Sequence, residues 1–235
     1  GTVPGPNMKW FRRVLGGPHT WQARSMARAA RWVYEGVREL RGVSPQLDTL
    51  IDRHGAPPWG RPIPVADRFP TLARGIAYQQ LAGAAAAAIW GRVEAASGGA
   101  PVHPAALLAV PEAELRAAGL SRAKVAALRD LAARVLDGRL RLGRLGTMGD
   151  EEVTERLVSV RGIGEWSAQM FLISALRRPD VWPCGDVGVR AGWGKAHRTE
   201  APSVHQMPKL GEPFRPYRSL VAWYCWQSAD TALPE

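Results

Sequence analysis

Signals that start and stop helices recur roughly every ten to twenty residues along most of this chain, while the strict alternation typical of β-strands is nearly absent. Asp67 is a candidate N-cap, and Ser121 is placed to cap a longer helix that Gly138 ends. Pro111 and Gly119 bracket a shorter helix in the same way. The sequence therefore predicts an all-α fold with short connections between its helices.

The amino-terminal stretch, residues 1–35, is basic. It has no acidic residue before Glu35 and carries Lys9, Arg12, Arg13, Arg24, Arg28 and Arg31. Because its apolar residues follow no sustained period, we interpret it either as a basic, loosely helical N-terminal extension or as a disordered tail with no role in the fold. Beyond Glu35 the apolar pattern tightens, and a proline-rich connector from Pro57 to Pro64 marks a candidate domain boundary.

The charge of the chain points to a class of partner. The 235 residues carry a formal net charge of +10, and 46% of them are hydrophobic, enough to bury a core in one domain or in two small packed ones. Lysine and arginine contacts to phosphate strengthen binding to a polyanion, so nucleic acid is the first candidate partner. A basic protein without such a partner is the alternative that charge alone leaves open.

Cysteine and histidine usage limits the chemistry. Two cysteines, Cys184 and Cys225, exclude a disulfide framework, a zinc ribbon and a four-cysteine iron–sulfur cluster. The five histidines lack metal-ligand spacing, so the sequence predicts no metal site built from side chains. No apolar run approaches the roughly 20 residues of a membrane span, and no signal peptide opens the chain. We therefore expect a cytoplasmic protein with no membrane partner.

The first candidate site lies between Leu157 and Ala168. Two glycines, Gly162 and Gly164, frame Ile163 where one predicted helix ends and the next begins. Glycine lets the backbone approach a phosphate closely, and the N–H groups at a helix N-terminus bind anions. An ordinary turn between helices is the alternative for a Gly-apolar-Gly sequence considered alone.

The second candidate site is Asp186, which begins a further predicted helix after a loop that contains Pro183 and Gly185. By itself this position predicts an N-cap. A carboxylate held by helix N–H groups stays ionised and fixed in direction, so a capping aspartate can also stabilise positive charge on a reacting sugar.

Together these two features resemble the helix-hairpin-helix DNA glycosylase superfamily. Residues 162–168 are Gly-Ile-Gly-Glu-Trp-Ser-Ala, and Asp186 follows twenty positions after Trp166. The likeness is greatest to the bacterial 3-methyladenine DNA glycosylase II (AlkA-type) branch and runs from about residue 36 to the end. Further similar segments are residues 76–82, residues 115–121 with Lys124, and residues 213–219 with Trp223. Ala82 departs from the serine that is common at its position.

The resemblance implies two packed helical subdomains with an active-site cleft between them. One contains residues 36–65 and 177–235, and the other, residues 66–176, ends in the helix-hairpin-helix motif. The implied function is a monomeric, monofunctional N-glycosylase of base excision repair that flips a damaged base, expected to be an alkylated purine, out of double-stranded DNA. Asp186 would be the catalytic carboxylate, no cofactor would be required, and the protein would be cytoplasmic and associated with the nucleoid.

The same resemblance implies roles for further residues. Relatives that also cleave the strand carry a lysine where this chain has Trp166, so no lyase activity is expected. The wedge that fills the gap left by the flipped base is Gln80 or Leu81. Backbone N–H groups of the hairpin would contact DNA phosphate at Gly162, Gly164 and Ser167. Backbone carbonyls would hold an optional Na+ or K+ at Val158, Val160 and Ile163.

Aromatic rings whose faces attract a cationic base would form the base pocket, with Trp166, Trp182, Tyr217 and Tyr78 as candidates and core packing as the alternative for each. Two rival functions stay open. One is a non-catalytic helix-hairpin-helix protein that binds DNA structures and uses Asp186 only as a cap. The other is a glycosylase for uracil, hypoxanthine or another lesion, whose neutral leaving base would need polar groups in the pocket.

Overall fold

The computed structural model describes residues 31–81 and 83–230, and over this part of the chain it contains helices and turns but no strand. The first helices are α1 (Arg31–Leu40), α2 (Pro45–His54), α3 (Val65–Tyr78), α4 (Gly83–Ala96), α5 (Pro104–Ala109), α6 (Glu112–Ala117) and α7 (Arg122–Leu136). They are followed by α8 (Asp150–Val158), α9 (Glu165–Ser174), α10 (Val187–His197), α11 (Met207–Gly211) and α12 (Arg218–Asp230), with 3-10 turns at Leu142–Thr147 and Glu212–Phe214. The predicted all-α class is confirmed.

The helix boundaries follow the capping signals at most of the predicted places. The Ser121 side chain accepts a hydrogen bond from the Lys124 N–H at 3.2 Å and so caps α7. Just after this helix Gly138 has φ +79°. The prediction for Asp67 is wrong, because α3 begins at Val65 with Pro64 as its N-cap, and Asp67 lies in the first turn. Local sequence identifies the helix but misplaces its first residue.

The chain divides into two compact units. The first unit is Ile63–Leu176, and the second joins the chain up to Pro62 to the chain from Arg177 onward. The sequence analysis drew similar divisions, after residues 65 and 176. It also drew the basic extension as far as residue 35, but α1 begins at Arg31 and fully buries Val33, so residues 31–35 belong to the folded part. The rest of that extension and Ala82 lie outside the described residues.

In the first unit, α7 has an apolar face that packs on its neighbours. Leu128 and Leu131 on this helix are fully buried. Helices α3 and α5 both pack against α7, and α8 packs against α9. As a result α7 lies under both the turn that follows α3 and the turn that joins α8 to α9.

In the second unit, α10 and α12 form the most extensive helix pair. Gly192 of α10 makes their close approach possible, since a Cβ atom at this position would lie 1.8 Å from the carbonyl oxygen of Cys225 in α12. Trp193 packs next to this crossing, with its ring centroid 6.0 Å from that of Trp182 and 5.8 Å from that of Phe214. The pair of helices therefore gives α10 a fixed position within its unit.

Among the residues that the structure describes, no helix combines the length and the apolar character that crossing a membrane would require.

Candidate functional site

The segment between α8 and α9 forms the predicted hairpin. Gly162 has φ +79°, and a Cβ atom built on it would lie 2.8 Å from the Cβ of Ala127 in α7, so both conformation and space favour glycine. Ile163 is 5% exposed, and its N–H donates to the Val160 carbonyl at 3.1 Å. Gly164, which has an ordinary φ of −96°, is the N-cap of α9. The apolar residue thus fixes the turn while both glycines are exposed.

A carboxylate of α7 holds the hairpin from below. The Oδ2 of Asp130 accepts a hydrogen bond from the Arg161 backbone N–H at 2.8 Å, and Arg134 donates to both carboxylate oxygens at 2.9 Å. Burial tends to raise the pKa of Asp130, but the Arg161 N–H and the Arg134 guanidinium outweigh it, and the pKa lies below its usual value. Asp130 is therefore ionised at neutral pH.

The backbone of the hairpin is arranged as an anion site requires. The i to i−4 hydrogen bonds of α9 begin with Ala168, whose N–H donates to the Gly164 carbonyl at 3.0 Å. N–H groups before that point have no acceptor within the helix, and they carry the positive end of its dipole. Ser167 is half-buried, and its hydroxyl lies 3.4 Å from the side-chain amide nitrogen of Gln79. The phosphate contacts predicted for Gly162, Gly164 and Ser167 stay a prediction.

The turn between α3 and α4 contains the predicted wedge residues. Gln80 is exposed and has φ +58°, a left-handed conformation that is uncommon for a residue with a side chain. Leu81 is half-buried, with its N–H 3.3 Å from the Tyr78 carbonyl. We call Gln79, Gln80 and Leu81 the wedge loop. The structure does not choose between Gln80 and Leu81, and the wedge role of either stays a prediction.

Asp186 is the N-cap of α10, as its sequence position predicts. Its Oδ1 accepts a hydrogen bond from the Val189 N–H at 2.7 Å and another from the indole N–H of Trp226 at 2.9 Å. Asp186 is 4% exposed. Both of these donors are neutral, so the carboxylate is fixed in direction without losing its charge to an arginine at these contacts.

The four aromatic pocket candidates divide into two pairs. Tyr78 is 1% exposed under the guanidinium of Arg74, and Trp182 is 6% exposed with its indole N–H donating to the Met207 carbonyl at 2.7 Å. Core packing accounts for these two rings. Trp166 and Tyr217 are partly exposed and stay candidates for contact with a base.

The residues around Asp186 include a second ionisable group. Burial, and then the charge of Asp186, raise the pKa of the Cys225 thiol well above its usual value. Cys225 therefore stays protonated at neutral pH. It acts as an apolar group in the crossing of α10 and α12 and not as a nucleophile.

Several contacts that build these sites were not predicted from the sequence. Trp226 lies 40 residues from the aspartate that it contacts, and Gln79 lies 83 residues from its partner Gly162. No local signal connects residues so far apart. Lys124 was noted only as part of a family-like segment, yet its ammonium group donates to two carbonyls of the wedge region.

Comparison with known proteins adds independent information. A family model described as the HhH-GPD superfamily of base excision DNA repair proteins matches residues 73–216. DNA-3-methyladenine glycosylase 1 of Schizosaccharomyces pombe is 30% identical over 196 residues, which cover 82% of this chain and 86% of that protein. A DNA-3-methyladenine glycosylase of Saccharomyces cerevisiae is 32% identical over 206 residues, covering 72% of this chain and 69% of the yeast protein.

Solved structures show the same likeness. The crystal structure of a DNA-3-methyladenine glycosidase from Bacillus halodurans superposes with a TM-score of 0.76 at 32% identity and covers 83% of this chain and 89% of that one. The S. pombe 3-methyladenine DNA glycosylase in complex with abasic DNA superposes with a TM-score of 0.75 at 29% identity, covering 86% of this chain and 100% of that one. The similarity therefore includes both units.

Proposed function

Because this chain belongs to the HhH-GPD superfamily of base excision DNA repair proteins, we propose that it is a monofunctional DNA N-glycosylase that releases alkylated purines from double-stranded DNA. The names of its relatives support the substrate class, since two of them are 3-methyladenine glycosylases. The observation that carries the proposal is the buried carboxylate of Asp186, fixed by two N–H donors at the start of α10.

The proposed chemistry uses the charge of Asp186. When the glycosidic bond breaks, the base leaves with the bonding electron pair and the sugar acquires oxocarbenium character. A fixed carboxylate stabilises that positive charge, and a water molecule then adds to C1′ and gives up a proton. An alkylated purine already carries a positive charge, so it leaves readily and needs little help from a general acid.

The proposed DNA contacts come from the first unit. The hairpin would bind the phosphate backbone through its N–H groups and exposed glycines, and the net charge of +10 would strengthen that binding. The target base would rotate out of the stack, with Gln80 or Leu81 in the gap. A DNA substrate implies a cytoplasmic protein associated with the nucleoid, and that location is part of the proposal.

We propose no role for a cofactor in the hydrolysis. An optional Na+ or K+ on the hairpin carbonyls of Val158, Val160 and Ile163 also stays a proposal. The Val160 carbonyl already accepts the Ile163 N–H at 3.1 Å, and a carbonyl oxygen has a second lone pair for an ion. The absence of strand cleavage follows from Trp166, whose indole cannot form the Schiff base that a lyase needs.

The test is a base-release assay on alkylated genomic DNA with the products separated by chromatography. We expect the wild type to release methylated purines, and we expect Asp186→Asn to reduce the rate by about 100-fold or more, the effect of losing a main charge stabiliser. Asparagine is also a good N-cap, so the variant should keep its fold and its affinity for abasic DNA. The matched control is Asp137→Asn, since Asp137 is an exposed C-cap of α7.

Each other outcome counts against part of the proposal. Equal, negligible release by wild type and Asp186→Asn on methylated, deaminated and oxidised DNA would leave a non-catalytic DNA-binding protein. Release of uracil or hypoxanthine without methylated purines would change the substrate. Strand breaks without added base or heat would contradict the monofunctional assignment.

A further inference from the structure

One face of α7 contacts both elements that would touch DNA. Four residues spaced three, three and four apart lie on this face: Lys124, Ala127, Asp130 and Arg134. Ala127 packs against the position where Gly162 lacks a side chain, and Asp130 accepts the Arg161 N–H. Arg134 lies 3.4 Å from the Ser159 hydroxyl at the start of the hairpin. The fourth residue, Lys124, contacts the wedge loop.

The Lys124 side chain makes its polar contacts with backbone. Its Nζ donates to the Ala77 carbonyl at 2.9 Å and to the Gln79 carbonyl at 2.7 Å. These carbonyls lie at the C-terminal end of α3, where the helix leaves acceptors unpaired and carries the negative end of its dipole. Burial lowers the pKa of Lys124, and no salt bridge to it occurs within the described residues. A half-buried cation is thus committed to the backbone of the wedge loop.

Gln79 connects the wedge loop directly to the hairpin. Its carbonyl accepts from Lys124, while its side-chain amide donates to the Gly162 carbonyl at 2.9 Å and lies 3.4 Å from the Ser167 hydroxyl. The next residue, Gln80, has a left-handed backbone that is uncommon for a residue with a side chain and persists only where the surroundings fix it. Lys124 and Gln79 supply contacts of that kind immediately before the strained residue.

We propose that Lys124 and Gln79 are positioning residues, which hold the wedge loop at a fixed distance from the hairpin so that DNA bound by the hairpin meets the wedge in register. The inference rests on the proposed glycosylase function. It assigns neither residue a part in bond breakage. It therefore predicts that their loss impairs extrusion of the base and leaves hydrolysis of an already extruded base nearly unchanged.

The experiment compares two duplexes that carry the same alkylated purine. In one the lesion is paired with thymine, and in the other it faces an abasic analogue, where less pairing energy opposes extrusion. We expect Lys124→Met to lower single-turnover base release about 10-fold on the paired lesion and less than about 2-fold on the unpaired one. Lys124→Arg keeps a cationic donor and should recover most of the rate, and the exposed Lys209→Met should match wild type on both duplexes.

Gln79→Met provides a second, independent variant. It keeps the length of the side chain and removes the donor to Gly162. We expect the same selective loss on the paired lesion, smaller than that of Lys124→Met because one neutral hydrogen bond is lost rather than two from an ammonium group. Hydrogen exchange of the DNA-free protein should become about 10-fold faster at the amides of Gln80 and Leu81 in both variants, with α9 unchanged.

The named outcomes separate the inference from the proposed function. An equal fall on both duplexes, or no fall on either, would overturn the positioning role. If wild type releases no base at all, the glycosylase assignment fails. The inference is then decided by hydrogen exchange and by the fluorescence of 2-aminopurine placed opposite an abasic site, which reports insertion of the loop. Unchanged exchange and fluorescence in Lys124→Met would overturn it on those grounds.

Discussion

The hairpin and the surroundings of Asp186 are stabilised in opposite ways. The hairpin is held by polar groups at partly exposed positions, among them Asp130, whose side chain is 26% exposed. Asp186 is 4% exposed, beside the close crossing of α10 and α12. The two key glycines differ accordingly: Gly162 provides a left-handed turn, whereas Gly192 provides space for a neighbouring backbone.

This difference matches what each region has to do in the proposed function. A surface that binds a highly charged partner keeps its donors accessible and tolerates solvent. A carboxylate that stabilises a transient positive charge acts more strongly where water is excluded and where its direction is fixed in advance. The comparison predicts that the two regions respond differently to steric change, to backbone change and to pH.

Gly192→Ala should have the largest effect on stability. Its Cβ atom would lie 1.8 Å from the oxygen and 2.5 Å from the carbonyl carbon of Cys225, and these are backbone atoms that cannot move aside alone. We expect a loss of about 3 kcal/mol or more in the free energy of unfolding, measured in urea. Gly91→Ala, at an exposed helical site with nothing within 4 Å, should instead be neutral or stabilising. Equal stability of the two variants would break the close-packing half of the comparison.

The sequence predicts those parts of the sites that depend on neighbours in the chain. The caps at Ser121 and Asp186 follow from a polar residue before an apolar run, and the structure has both. Gly162 and Gly164 marked the turn because few other residues suit such a segment. For Asp67 the local signal was ambiguous, since an acidic residue is favourable anywhere in the first turn of a helix.

The remaining contacts depend on tertiary packing. Trp226 donates to Asp186 because α12 crosses α10 at the glycine of position 192, and nothing near Trp226 in the chain indicates which acceptor it meets. Tyr78 and Trp182 have the composition of a base pocket, but burial removes their rings from solvent. Aromatic side chains serve both purposes equally well, so only the structure separates Trp166 and Tyr217 from the other two.

Gly162→Ala tests the hairpin half of the comparison and should have an intermediate effect. Alanine would be strained at φ +79°, and its Cβ would lie 2.8 Å from that of Ala127. We expect a loss of about 2 kcal/mol in unfolding free energy, together with weaker binding to abasic DNA. Gly164→Ala is the control, since φ is −96° and nothing lies within 4 Å.

A double mutant separates the two causes. Ala127→Gly removes the methyl group that a Cβ atom at position 162 would meet, but it cannot relieve the left-handed backbone. If conformation dominates, as proposed for this glycine, the added cost of Gly162→Ala should persist in the Ala127→Gly background to at least about half. Complete recovery would make Gly162 a packing glycine like Gly192 and remove the contrast between them.

Asp130→Ala should have the smallest effect, and its pH dependence is the sharpest test of the polar character of the hairpin. Losing a charged acceptor that is partly exposed should cost about 1 kcal/mol of unfolding free energy at pH 7. Because the folded pKa is lowered, the stabilisation by Asp130 is complete above the unfolded value of about 3.9 and is lost as pH falls through the lower folded value. Urea denaturation should therefore give the same difference from wild type at pH 7 and pH 5 and a smaller one below about pH 4. Asp130→Asn, which keeps an acceptor without charge, should lose less than Asp130→Ala at pH 7. A difference between wild type and Asp130→Ala that stays constant below about pH 4 would mean that packing, and not the carboxylate charge, holds the hairpin in place.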